Sequence, residues 1–221
     1  MSRFAWGLLI LFWSTLSYAQ SIPTVVQWID VFEKVRQHGL FADLNITYAK
    51  APAANVGFSP VGVIPRDGVD CVIVIAEGDN PKMEKMMQLA ATPAAARAFL
   101  LTLAAHEFGH CLRIRSKHLS RELWERVAAT TAGSAERGVL EKLLSIEEAY
   151  ADAYAFAYLQ DAHPEVYAEM LVAMHSLRHD PTFATPFYQV EPLYLQLGSR
   201  GLDVRLSWHQ QVEAVMQESK F

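Results

Sequence analysis

His106-Glu107-Phe108-Gly109-His110 is the stretch of this chain best suited to chemistry. It reads H-E-x-x-H inside an Ala/Leu-rich run. On a helix, residues four apart share a face, so His106 and His110 can reach one ion together. Imidazole nitrogen suits Zn²⁺. Glu107 lies beside the first ligand, where a carboxylate can take a proton from water that a metal has activated. The competing reading is a helix with two satisfied histidines, since a chain with 8 His can produce the pattern by chance. Ala104-Ala105 before the motif and Cys111-Leu112 after it weigh against that reading. They place a carboxylate and two imidazoles in an apolar helix, where unpartnered polar groups are costly and an ion supplies the partner. The expected chemistry is metal-assisted hydrolysis of an amide.

Zinc in a catalytic site takes three protein ligands and keeps one open position. The extended form H-E-x-x-H-x-x-G-x-x-H is excluded, because Arg113 and Ser116 stand where Gly and the last His belong. The other common solution draws a Glu from a downstream helix. Glu148-Ala149-Tyr150-Ala151-Asp152 fits it as E-x-x-A-D, with Glu148 and Asp152 four apart on one helix face. Glu148 is then the third ligand, and Asp152 accepts the outer N–H of a zinc histidine. Two alternatives stand beside this. Ser145-Ile146-Glu147-Glu148 is also S-x-x-E, a capping box in which Glu148 only closes a helix start. Glu147 is a rival ligand, though four residues on from it is Ala151 rather than an acid.

H-E-x-x-H followed by E-x-x-A-D resembles the gluzincin metallopeptidases. Within them it is most similar to the families around the CAAX prenyl endopeptidases and the HtpX-type heat-shock proteases, and to small exported relatives. The likeness covers about residues 104–155. It implies His106, His110 and Glu148 as zinc ligands, Glu107 as general base, Asp152 as the residue that orients a ligand, and a zincin-like fold acting on a peptide or protein substrate. The strand expected at 71–76 is a candidate for the edge strand that pairs with extended substrate in this clan. This chain lacks the several transmembrane helices of the named families, which argues against prenylated membrane peptides as substrates. The alternative function is a zinc-containing binding module of the cell envelope without proteolytic activity; an intact Glu107 argues against it, because a pure binding site needs no base.

Amide hydrolysis also calls for a donor to the developing oxyanion. His175, Arg178, His179 and Tyr188 are candidates, and Arg178-His179-Asp180-Pro181 is the best placed of these, opening a loop after a helix. His179 is the residue selected as catalytic on this basis, against the plainer reading that Arg and His are favoured at helix C-termini by the dipole. Tyr150 and Tyr154 flank the acids but at helical spacing fit core packing. His38, His118, His163 and His209 show no ligand spacing and read as surface or capping residues.

Several elements must position these groups. A first helix is expected over 22–38, and strands over 44–50, 56–64 and 71–76, the last a β-branched run suited to burial. Thr92-Pro93 reads as a cap and first position for the helix carrying the motif, through about Ile114. A short helix over 119–127, a loop over 128–134, and a helix from Val139 or Ser145 to Gln160 follow. Further helices are expected over about 165–177 and 203–217. The fold class is α+β, one zincin-like domain over 20–221: a small strand region, then a mostly helical part.

Composition narrows the rest. The chain has 221 residues and a formal net charge of −5, with Lys and Arg scattered, which argues against a nucleic-acid partner. Residues 1–19 read as a signal peptide: Arg3, an apolar run from Phe4, and Ser17-Tyr18-Ala19 before the cut. The apolar run is shorter than a bilayer span, so the expectation is export to the periplasm or beyond, with no stable membrane span after cleavage. The 2 cysteines, Cys71 and Cys111, are either one disulfide pinning the motif helix to a strand or two buried thiols.

Overall fold

The computed structural model describes residues 22–56, 59–90, 92–180 and 190–219. The expected leader over 1–19 and Tyr188 lie outside them. In chain order the elements are α1 (Val25–Arg36), β1 (Ile46–Pro52), β2 (Val61–Ile64), β3 (Cys71–Glu77), α2 (Pro81–Met87), α3 (Pro93–Arg115), α4 (Arg121–Ala129), α5 (Ala135–Ala162), α6 (Tyr167–His179), α7 (Glu191–Arg200) and α8 (Trp208–Ser219). The architecture is mixed α+β, a small sheet followed by helices.

α3 starts where its cap demands. The Thr92 hydroxyl accepts from the Ala95 N–H at 3.1 Å, and Pro93 occupies the first turn, where its missing N–H costs nothing. The helix stops at Ser116, and Lys117 turns the chain at φ 63°. Between those ends α3 packs against α1, β2, β3, α5 and α6, so nearly its whole circumference from Phe99 to Arg113 is buried. Phe108 lies 5.3 Å, ring to ring, from both Phe32 and Phe41. This aromatic contact anchors the apolar side of α3.

α5 begins earlier than the sequence suggests. The Ser134 hydroxyl accepts from the Arg137 N–H at 3.1 Å, and Leu140 and Leu144 pack with Leu119 and Val127 of the α4 region. Ser145 is therefore inside the helix, its hydroxyl donating to the Glu141 carbonyl at 3.1 Å. The capping-box reading of Ser145 and Glu148 does not hold, since no helix starts there.

The sheet has the order β1-β3-β2, with β1 parallel and β2 antiparallel to β3. β3 is thus the central strand, which corrects the expectation that 71–76 is an edge. Its run Val72-Ile73-Val74-Ile75 carries bulky β-branched side chains to both faces, and such a strand is stable only when covered on both. The short β2, flanked by Pro60 and containing Gly62, takes an edge instead.

Cys71 and Cys111 form a disulfide, with Cα atoms 5.4 Å apart. It ties β3 to α3 one residue beyond His110. Among the described residues no helix is long and apolar enough to cross a membrane.

Candidate metal centre

Small residues let α3 and α5 come unusually close. A Cβ on Gly109 would lie 2.8 Å from the Ala151 Cα and 3.1 Å from the Ala151 carbonyl oxygen. Gly109 and Ala151 therefore form the floor of the crossing. His106, Gly109 and His110 share a face of α3 by their spacing; Glu148, Ala151 and Asp152 share the facing stripe of α5. The two sets of polar side chains meet around the backbone contact.

The structure brings His106, His110 and Glu148 together. His106 Nε2 is 3.1 Å from His110 Nε2 and 3.4 Å from Glu148 Oε2; His110 Nε2 is 3.5 Å from Glu148 Oε1. All three side chains are buried. Asp152, fully buried, accepts from His106 Nδ1–H at 2.8 Å, which orients the ring and turns Nε2 toward His110 and Glu148. Arg178 reaches Asp152 with two bonds, Nε to Oδ2 at 3.0 Å and Nη2 to Oδ1 at 2.6 Å, and its Nη2 lies 3.5 Å from Glu148 Oε2. The Tyr194 hydroxyl donates to Asp152 Oδ2 at 2.9 Å. Asp152 is thereby held by three elements, α3, α6 and α7.

Electrostatics favour a cation at the centre. Glu107, Glu148 and Asp152 are three buried carboxyl groups beside one guanidinium, Arg178, so the group draws positive charge onto its imidazoles. Burial pushes the Glu148 carboxyl up, but the adjoining His110 and His106 outweigh it and hold it well below the ordinary range. Asp152 behaves alike: burial is outweighed by Arg178 and His106, and its pKa lies at about 2. Burial disfavours a charged His106, yet the bonds to Asp152 and Glu148 raise its pKa to about 9. For Glu107 burial wins, partly offset by His106 and His110, and its pKa is raised.

The donor set fits a metal ion. Among the described residues, Glu148 Oε2 is a buried atom without a hydrogen-bond partner, and buried polar atoms normally have one. Ligands about 2.0–2.1 Å from a tetrahedral ion lie about 3.3 Å from one another, the spacing seen among these three donors. His106, His110 and Glu148 can therefore hold one ion.

Glu147, the rival ligand, is committed elsewhere. Arg113 Nε and Nη2 donate to its two oxygens, each at 2.7 Å, and the guanidinium lies 3.8 Å above the Tyr150 ring. Tyr150 and Tyr154 face α8, where their hydroxyls meet Glu213 and His209. His179 is not brought to the centre. Its Nδ1 donates to the His175 carbonyl at 2.8 Å and its Nε2 lies 3.0 Å from Glu191. Successive residues on a helix point about 100° apart, so only one of Arg178 and His179 can face α3 and α5, and Arg178 takes that place. It binds Asp152 rather than standing free as an oxyanion donor. Tyr194 was missed because α7 was missed, although Val190, Leu193 and Leu197 with Pro192 and Gly201 spell a short helix.

No protein-family model, curated protein or solved structure matches this chain.

Proposed function

We propose that the protein is an exported zinc metallopeptidase of the gluzincin type, with a zincin-like fold. The observation that carries this reading is the convergence of His106 Nε2, His110 Nε2 and a Glu148 oxygen in a buried group with Glu107 beside it. Two imidazoles and a carboxylate are a donor set suited to zinc in catalytic sites. His106, His110 and Glu148 would hold a Zn²⁺ ion, which would supply Lewis acidity to an attacking water and to a scissile carbonyl. Glu107 accepts the proton of that water and returns it to the leaving nitrogen. Asp152 keeps His106 in the ligating tautomer, while Arg178 and Tyr194 keep Asp152 ionised and in place.

Two further observations support the reading. β2 packs against α3 and, among the described residues, pairs only on its β3 side. Its other edge is suited to an extended peptide, which would take backbone hydrogen bonds there without sequence choice. The Cys71–Cys111 disulfide fits an oxidising compartment and so export.

The test is turnover of a mixed peptide library by zinc-loaded wild type beside Glu107→Gln. Wild type should cleave, and the variant should keep its zinc while losing about 10²–10⁴-fold in rate. A Glu107→Gln variant that cleaves at the wild-type rate would remove Glu107 as the base.

A further inference from the structure

His175, His179 and Glu191 form a second group whose ligand atoms all lie within 4.8 Å of one another. His175 and His179 are four apart on the last turns of α6, so they share a face, and Glu191 opens α7. His175 Nε2 is 2.8 Å and His179 Nε2 3.0 Å from the same oxygen, Glu191 Oε2. The rings lie 4.3 Å apart, centroid to centroid.

The hydrogen bonding fixes which atoms face inward. His179 Nδ1–H donates to the His175 carbonyl at 2.8 Å. A neutral His179 then carries its lone pair on Nε2, directed at a carboxylate oxygen that is also electron-rich. Two acceptors 3.0 Å apart repel unless a positive charge lies between them. A proton on each Nε2 serves these contacts one pair at a time, whereas a single cation serves both imidazoles and the carboxylate at once. An i,i+4 histidine pair closed by a carboxylate from a neighbouring helix is a donor set for a first-row divalent ion.

We infer that His175, His179 and Glu191 bind a second divalent cation of the zinc class, which clips the end of α6 to the start of α7. The side chains are 41%, 54% and 44% exposed, so this site is open to water and weaker than the buried one. Its role is structural. The His175 ring packs 5.3 Å from the Tyr194 ring, and Tyr194 holds Asp152. A clipped α7 therefore steadies the residues that orient His106, but the second site requires nothing of the first to bind its ion.

The experiment is a calorimetric titration of Zn²⁺ into the metal-free, full mature chain, comparing wild type, His179→Gln, Glu191→Gln and Glu148→Ala. Wild type should take up two equivalents, one tight and one weaker. His179→Gln and Glu191→Gln, both at exposed positions, should each weaken the second phase by at least about 10-fold and leave the first unchanged. Glu148→Ala should do the reverse. If that variant alone leaves uptake unaltered, the buried centre falls and the clip stands. Uptake by wild type of a single ion that Glu148→Ala removes, or a weaker phase indifferent to His179→Gln and Glu191→Gln, overturns the clip and leaves the trio as ordinary imidazole–carboxylate pairs.

Discussion

The residue that organises the buried centre is Asp152. It accepts from His106, Arg178 and Tyr194 at once, with no exposed surface. Residues that orient metal ligands in this way typically matter about 10–100-fold in metal affinity. Asp152→Asn should weaken zinc binding by that amount, and Tyr194→Phe, which removes one bond of the four, by less. Equal affinities in a competition titration with a chelator would show that the clamp does not set the ligand geometry. A second single-residue effect lies away from the metal. His38 stacks on Trp208 at 4.6 Å and lies 3.2 Å from Asp161. Burial lowers its pKa from the ordinary 6.5, against the opposing pull of Asp161. The unfolded chain thus binds this proton more readily than the folded one. The stability contributed by neutral His38 is in place above about pH 6.5 and is lost as the pH falls through the folded-state pKa. His38→Phe keeps an aromatic ring against Trp208 and removes the titration. Denaturant unfolding between about pH 7 and about pH 5 should show a flatter decline for the variant than for wild type; parallel declines would contradict this.

The element-level device is the close crossing of α3 and α5. Ala151, set against Gly109, allows a separation that larger side chains would forbid. Gly109→Ala places a methyl group 2.8 Å from backbone, which neither helix can evade without moving. It should cost about 1–3 kcal/mol of stability by overpacking and also weaken zinc binding, because any shift of α5 carries Glu148 with it. Thermal melts with and without zinc measure both; a variant as stable and as tightly loaded as wild type would refute the crossing. Much at this scale was legible in the sequence. Thr92-Pro93 marks the start of α3, and the four-residue spacings of His106/His110 and Glu148/Asp152 mark two faces that must meet. What was not legible has physical causes. The first turns of α5 carry Glu136, Arg137, Glu141 and Lys142, so they look like solvated loop until Leu140 and Leu144 are seen packing on α4. α2 hides behind Pro81, which reads as a turn but serves as the first position of a helix capped by Asn80. Arg178 and Tyr194 select Asp152 across 26 and 42 residues, and no local periodicity announces such a pairing.

At the scale of the whole molecule, the sheet, the disulfide and the helices converge on one helix. β3 lies at the centre of the sheet, paired along both edges, with Cys71, Ile73 and Ile75 in the core; the sequence conveyed that burial but not the strand order. Neither disulfide nor free thiols could be chosen from two cysteines 40 residues apart, since only the packing of β3 on α3 brings their Cα atoms to 5.4 Å. The bond fixes α3 next to His110 from the sheet side, while α5, α6 and α7 hold the other side through Glu148, Arg178 and Tyr194. The His106/His110/Glu148 group is where these constraints meet. The most direct test of that centre is the metal content of the purified mature protein, wild type beside Glu148→Ala. Exhaustive dialysis should precede it, to strip the exposed His175/His179/Glu191 group. About one zinc per wild-type chain should survive dialysis and be lost from the variant. A wild-type protein that retains no metal after zinc has been supplied, or a Glu148→Ala protein that retains as much as wild type, would contradict the account.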